Sequence, residues 1–537
     1  MTNAAPARDV ASRFLDVAAR LGGKPAVVQG RASATFSQIA DDVRLLPAGL
    51  RRAGIAPGDR VALLMPPSRD MYSYTFALFR MGAVPVFIDP GIGFKNMGRC
   101  LAETEPTAFI GSPKAHLARL LGRWAPKTKI AVLAGGKVPG LWSTRAIRDL
   151  GVGVEAESAV LSPGSVAAIL FTSGSTGVPK GAVYTHGMFS AQVELLRALF
   201  DIKEREVSVP TFPLFGLFDV ALGLTCVIPD MDFTRPGGVD PAMIVEVLQR
   251  VRADQLFGSP ALLDRVGRYG ADHGIALPHL KRVLSAGAPV QAKILERFSR
   301  MLPTGVEIRT PYGATEALPV AVIGSMEILN ETAGLTAEGR GVCVGRPVDG
   351  IEVEIIRITD EPISRWSDSL RADSGEIGEI VVKGPVVSRE YFRRPEETAA
   401  AKISDGGAVR HRMGDLGRFD DKGRLWFCGR KAHRVRTLAG ELYTVPVEGV
   451  FNAHADVKRS ALVGVGPRPV LCVEKELAAK KTDEELTREL LALGAKHPRA
   501  AAVKTILYHP SFPVDIRHNA KIFREKLAVW AAGRLKA

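Results

Sequence analysis

The stretch FTSGSTGVPKGAV, Phe171–Val183, gathers residue types that suit an anionic ligand. An apolar run, AAILF, leads into four small hydroxyl residues (Thr172, Ser173, Ser175, Thr176) and three glycines (Gly174, Gly177, Gly181), with Lys180 close behind. Glycines let a backbone fold tightly around a ligand, and main-chain N–H groups, hydroxyls and an ammonium all suit phosphate oxygens. The spacing is not that of a Walker A loop, and composition alone reads as a solvated Gly/Ser loop. GVGVEA (Gly151–Ala156) formally fits G-x-G-x-x-A, yet no strand precedes it and SPG soon follows, which excludes a dinucleotide fold. With no H-E-x-x-H and no G-x-S-x-G, neither a zinc protease nor a serine hydrolase is indicated.

Phe171–Val183 closely resembles the phosphate-loop motif of the adenylate-forming superfamily of acyl-CoA synthetases, peptide-synthetase adenylation domains and luciferases. Further motifs follow in that family's order. TPYGATE (Thr310–Glu316) resembles its aromatic-G-x-T-E motif, which implies Tyr312 on the adenine face with Gly313 beside it, Thr315 on a phosphate and Glu316 on Mg²⁺. SAGAPV (Ser285–Val290) resembles the adenine-pocket turn, with Gly287, Ala288 and Pro289 against the base. GDLG (Gly414–Gly417) implies that Asp415 grips the ribose hydroxyls, a chemistry to which a bidentate acceptor is suited. GRK (Gly429–Lys431) resembles the interdomain hinge, with Arg430 near ribose and phosphate, and RHNAKIFREKL (Arg517–Leu527) resembles the C-terminal motif that places the catalytic lysine at Lys521. The resemblance implies ATP and Mg²⁺ as cofactors, Thr172–Gly177 and Lys180 around the phosphates, and Lys521, Glu316, Thr172 and His186 as catalytic residues.

Two departures narrow the activity. Acyl-CoA synthetases of the family commonly read P-L-F-H-x-x-G at the start of the acyl pocket, whereas TFPLFGLFDVALG has Gly216 at the histidine position. The acidic pair usual after the hinge is replaced by Ala432 and His433. Val209–Pro241 is similar, more specifically, to the β-lactone synthetases of bacterial long-chain olefin biosynthesis. These adenylate 2-alkyl-3-hydroxyalkanoic acids and let the substrate's own hydroxyl displace AMP. The expected substrate is therefore a lipid β-hydroxy acid, and a complex with other olefin-pathway enzymes stays open. The base for that hydroxyl stays open too, between His433 and a phosphate oxygen of a product. Phe212, Phe215 and Phe218 read either as core or as an alkyl-binding wall, Thr185 as a neighbour of the acyl carbonyl, and His186 either as such a neighbour or as simple packing. Long-chain acyl-CoA ligation is the alternative within the family; a basic nucleic-acid or membrane-surface binder is the alternative outside it.

These residues need a scaffold, and the 537-residue chain is long enough for several domains without staples. Five scattered cysteines form no C-x-x-C pair, which argues against zinc ribbons and redox dithiols and suits a reducing cytoplasm. The start of the chain lacks a signal-like apolar core, and Val207–Pro229, the best membrane-span candidate, is broken by Asp219 and three prolines. It reads as a buried wall. Of the net charge of +14, the segment from Arg430 onward contributes 20 Lys and Arg against 11 Asp and Glu. No zinc-finger, RNP-like or GXXG pattern accompanies this excess, so it reads as a lid for a polyanionic substrate rather than a nucleic-acid surface.

Apolar runs at Pro25–Gln29, Arg60–Met65, Ala83–Ile88, Ile130–Leu133, Val166–Phe171, Gln255–Phe257, Arg282–Ser285 and Glu307–Thr310 read as strands. Phe36–Ala53 and Met71–Met81 read as helices between them. This alternation predicts an α/β N-terminal domain, 1–429, in multiple layers. Close-spaced apolar runs predict a small β subdomain at about 341–429, and residues 430–537 a mobile α+β lid.

Overall fold

The computed structural model describes residues 9–154, 159–171, 178–514 and 522–536. One sheet orders its strands Trp142–Ser143, Ile130–Leu133, Ala108–Gly111, Arg60–Leu64, Val84–Ile88, Val166–Phe171 and Gly181–Thr185. Its neighbours run parallel until the last pair, which is antiparallel. A second sheet has a parallel run through Pro25–Gln29, Thr225–Ile228, Val207–Pro210, Gln255–Gly258, Arg282–Ser285 and Ile308–Ala314. Pairing then turns antiparallel through Ala317–Gly324 and Val342–Pro347, which joins Leu425–Arg430, Ala408–Phe419 and Gly378–Lys383. The strands expected to form a β subdomain thus hang on the edge of the large sheet through Val342–Pro347.

Helices Val10–Leu21, Phe36–Arg52, Arg69–Met81, His186–Leu199 and Pro213–Leu222 contribute to one buried cluster that includes Phe14, Phe36, Phe76 and Phe79. Their sequences explain their limits. Thr35 and Gln38 form a reciprocal capping box at the start of Phe36–Arg52, and Gly82, in a left-handed conformation, ends Arg69–Met81. The candidate membrane segment resolves into strand Val207–Pro210, helix Pro213–Leu222 and strand Thr225–Ile228. Among the described residues no helix is long and apolar enough to cross a membrane. All five cysteines are free and buried.

A third sheet pairs Val457–Val465 with Arg468–Lys475 and Thr505–Tyr508. With helices Thr444–Asn452 and Asp483–Ala495 it encloses its own core, centred on Phe451, Leu462, Leu471 and Leu490. The protein is therefore mixed α/β, with a large N-terminal sheet domain and a smaller C-terminal one, as the strand–helix alternation predicts. Lys293 Nζ bridges the two, 2.6 Å from Glu476 Oε1, as does Gln291, which donates to the Lys458 carbonyl at 3.3 Å. The parallel strands of both sheets end on one cleft of about 2680 Å³, and Arg524 and Glu525 line it from the C-terminal side. Ligands of open parallel sheets bind at such carboxyl edges.

Candidate active site

The polar end of the cleft is built where three strands meet. Asp415 and Arg430, fifteen residues apart in sequence, are cross-strand partners between Ala408–Phe419 and Leu425–Arg430. Their side chains pair at 3.0 Å, and Arg430 also donates to the Met413 carbonyl at 3.1 Å. From strand Ile308–Ala314, Tyr312 donates its hydroxyl to Asp415 Oδ2 at 2.7 Å. Asp415, in turn, holds Arg430 firmly charged, while burial and the neighbouring carboxylate raise the Tyr312 pKa. The motifs around Tyr312, Asp415 and Arg430 thus converge on one hydrogen-bonded cluster.

Glu316 stands in the two-residue turn between Ile308–Ala314 and Ala317–Gly324, where Ala314 faces Ala317. Two contacts fix this turn: Tyr184 donates to the Thr315 carbonyl at 2.5 Å, and the Ser388 amide donates to the Glu316 carbonyl at 2.8 Å. The Glu316 carboxylate accepts from the Tyr391 hydroxyl at 2.7 Å. Lys180 Nζ lies 5.2 Å from the centre of the Tyr391 ring, a cation–π arrangement. Gly287, Ala288, Pro289, Gly313 and Thr315 also line the cleft. Gly287 has φ +97°, which a side chain would strain.

Thr172, Ser173, Gly174, Ser175, Thr176, Gly177 and Lys521 lie outside the described residues. Phe171 and Lys180 on one side and Ile522 and Phe523 on the other line the cleft. His186 is a correction. The Thr185 hydroxyl caps helix His186–Leu199 by accepting from the Met188 amide, so His186 becomes the first helical residue. Its ring is 2% exposed and edge-on to Phe79, with neither nitrogen hydrogen-bonded, and burial lowers its basicity. It packs the core and does not reach the cleft.

Three residues that sequence reasoning missed complete the polar end: Tyr184, Tyr391 and Lys402. Lys402 is buried behind Tyr391, donating to the Ser388 carbonyl at 2.6 Å and the Ser388 hydroxyl at 3.0 Å. Burial pushes its pKa down to about 7, against the opposing pull of Glu316. Tyr184 and Tyr391 stand 131 and 75 residues from the groups they bond, and no spacing in the sequence marks them.

The apolar end is walled by helix Pro213–Leu222. Phe212, Phe215 and Phe218 are half-buried and line the cleft, so they are wall as well as packing. Phe215 stacks on Phe257 at 3.7 Å between ring centres. Gly216 faces the other way. A Cβ there would lie 2.1 Å from the Tyr72 hydroxyl and 2.9 Å from Cys226 Sγ, leaving no space for a histidine. Tyr72 occupies that volume, within reach of the Pro213 carbonyl and Cys226.

One cleft therefore joins a diol- and phosphate-competent cluster to an aromatic channel. The AMP-binding enzyme family matches residues 14–392. The chain is 49% identical over 525 residues to an olefin beta-lactone synthetase of Xanthomonas campestris pv. campestris, covering 95% of this chain and 93% of that one. It is 49% identical over 501 residues to an olefin beta-lactone synthetase of Stenotrophomonas maltophilia, covering 91% and 90%. Among solved structures, the amide bond synthetase McbA of Marinactinospora thermotolerans aligns at a TM-score of 0.81 and 25% identity, over 97% of this chain and 99% of that one. The shared motifs, their convergence and these matches have one conclusion: the chain belongs to the AMP-binding enzyme family.

Proposed function

We propose that the protein is an ATP-dependent β-lactone synthetase. It adenylates a long-chain 2-alkyl-3-hydroxyalkanoic acid and closes it to a β-lactone, releasing pyrophosphate and AMP, as a step in long-chain olefin biosynthesis. The observation that carries this reading is the likeness to the two β-lactone synthetases, which extends over both ends of the cleft and over the C-terminal domain.

Activation brings a carboxylate against an anionic α-phosphate, and that repulsion must be offset. Asp415 takes the ribose hydroxyls, its carboxylate held in place by Tyr312 and Arg430. Arg430 also presents positive charge to the α-phosphate, and Lys521 bridges the two anions as the carboxylate attacks. Lys180 and the hydroxyls and amides of 172–177 receive the β- and γ-phosphates. Glu316 would hold Mg²⁺. Among the described residues no group of three or more His, Cys, Asp or Glu side chains converges to hold a metal. One carboxylate beside a phosphate site fits Mg²⁺, which keeps waters and draws its other ligands from phosphates. When bound, Mg²⁺ screens the phosphate charge.

The alkyl chains lie along Phe212, Phe215 and Phe218, where each buried methylene contributes about 0.8 kcal/mol. Held there, the 3-hydroxyl is an intramolecular nucleophile whose high effective molarity helps offset the strain of a four-membered ring. Mass spectrometry of the products from a synthetic 2-alkyl-3-hydroxy acid with ATP, Mg²⁺ and no CoA tests the proposal. A β-lactone is expected; a thioester formed only when CoA is added would make the protein an acyl-CoA ligase instead.

A further inference from the structure

Helix Pro113–Gly122 is amphipathic in the inverted sense. Ser112 caps it, accepting from the Ala115 amide, and its inner face carries Ala115, His116 and Arg119. The His116 ring stands 2.9 Å from the Val132 carbonyl, and the Arg119 guanidinium lies over the Phe109 ring at 5.4 Å. That face is thereby tied to the sheet. Leu117, Leu120 and Leu121, spaced to share one stripe, are 58%, 68% and 75% exposed. A surface helix ordinarily turns such a stripe to the core and its polar residues to water. Three neighbouring leucines left in water cost free energy until something covers them.

The stripe is continuous with the cleft. Trp124, just past the helix, is buried against Phe94 at 4.3 Å between ring centres, and Phe94 itself is 54% exposed. Gly98 and Gly122 leave the room that Trp124 fills, since a Cβ at either would lie 2.7 Å or less from its Nε1. Phe94, Ala118 and Trp124 also line the cleft, so the apolar surface runs outward from its rim. The charge here is one-sided. From Thr107 to Arg148 the chain carries eight Lys and Arg and no Asp or Glu. Lys127 and Arg148 are paired with Glu105 and Asp42 from outside that run. Lys114 and Arg123 on the helix, and Lys95 beside Phe94, are exposed, and among the described residues none of the three forms an ion pair.

We infer that this surface, Phe94 with helix Pro113–Gly122, docks the protein reversibly on an anionic phospholipid bilayer. Leucines would enter among the acyl chains while the cations meet lipid phosphates. A protein partner would have to place its acids opposite these same cations, whereas a fluid anionic surface supplies charge without matching. The contact is peripheral, because one ten-residue helix lying in the interface does not span. Its purpose rests on the function proposed above: an acid with two long alkyl chains partitions into bilayers, and a cleft whose rim meets the bilayer takes it up without crossing water. The docking itself is independent of that reading, since it is measured without ATP or substrate.

The test is flotation of the full-length protein with vesicles of phosphatidylcholine alone and of phosphatidylcholine mixed with phosphatidylglycerol. The parent is expected to bind the mixed vesicles about 10-fold more tightly than the neutral ones, and high salt to release it. Leu117→Ser/Leu120→Ser/Leu121→Ser is expected to weaken binding to mixed vesicles about 100-fold, and Lys95→Glu/Arg123→Glu about 10-fold. All five side chains are exposed, so the Tm and ATP–pyrophosphate exchange on a short, soluble 3-hydroxy acid should stay at parental values. Equal binding of the parent to both vesicle types, or flotation of the leucine variant as strong as the parent's, would overturn the inference. A parent that does not float, yet forms an oligomer that the leucine substitutions dissociate, would make this face a protein interface instead. Exchange absent from the parent as well would count against the proposed function and leave the vesicle result standing.

Discussion

The two ends of the cleft are held by opposite means. At the polar end each group is fixed by another: Tyr312 and Arg430 by Asp415, Glu316 by Tyr391, and the turn carrying Glu316 by Tyr184. At the apolar end, rings touch rings. Phe215 lies 5.6 Å from Phe212, 6.2 Å from Phe218 and 3.7 Å from Phe257, and none of these contacts requires a particular side chain. Directional bonds make the polar end intolerant of change. Non-directional packing makes the apolar end adjustable in size. Gly216 is the exception: an apolar-side position closed as tightly by the Tyr72 hydroxyl as any polar one.

This contrast can be broken in order of expected effect. Lys521→Ala should lower ATP–pyrophosphate exchange by about 1000-fold, the upper range for loss of one transition-state cation, while calorimetric ATP binding persists. Asp415→Ala should raise the KM for ATP and cost about 1.5–3 kcal/mol of stability in denaturant titration, since it removes hydrogen bonds to a charged group and leaves Arg430 unpaired. Gly216→Ala should cost about 1–3 kcal/mol through overpacking against Tyr72 and lower the Tm, although it adds only a methyl.

Lys402→Met probes the polar end by pH. The folded state holds Lys402 near pH 7, below its unfolded value, so between about pH 7 and the ordinary lysine range the unfolded chain binds the extra proton. Stability should therefore rise with pH across that window, by about 1 kcal/mol per unit, and the slope should flatten in Lys402→Met. Phe215→Ala should have the smallest effect on chemistry. It should shift KM toward bulkier acids by about 10-fold, with little change in exchange kcat on the preferred chain length.

What the sequence reveals follows the same division. Tyr312, Asp415 and Arg430 stand out in the sequence because the motifs around them resemble those of the family, and the structure brings them together through one tyrosine hydroxyl and one cross-strand pair. Strands Ile130–Leu133, Val166–Phe171 and Arg282–Ser285 are legible because buried parallel strands are short unbroken apolar runs. Tyr391 and Lys402 are not, because each acquires its role only when the fold carries it to Glu316. His186 misleads for the complementary reason: a histidine beside a phosphate motif suggests chemistry, but helix capping by Thr185 directs it into the core. The aromatic triplet Phe212, Phe215 and Phe218 is visible in sequence, yet only the cleft distinguishes wall from packing.

The central claim is that one cleft activates an acid with ATP and lets the substrate itself finish the reaction. It is tested most directly by steady-state AMP release on a matched pair of 2-alkyl acids, one with and one without the 3-hydroxyl, each assayed with and without CoA. Multiple turnovers are expected for the hydroxy acid, unaffected by CoA, and for its deoxy partner only slow release, at the rate the bound adenylate hydrolyses. CoA-dependent turnover that is equal for both acids would contradict it.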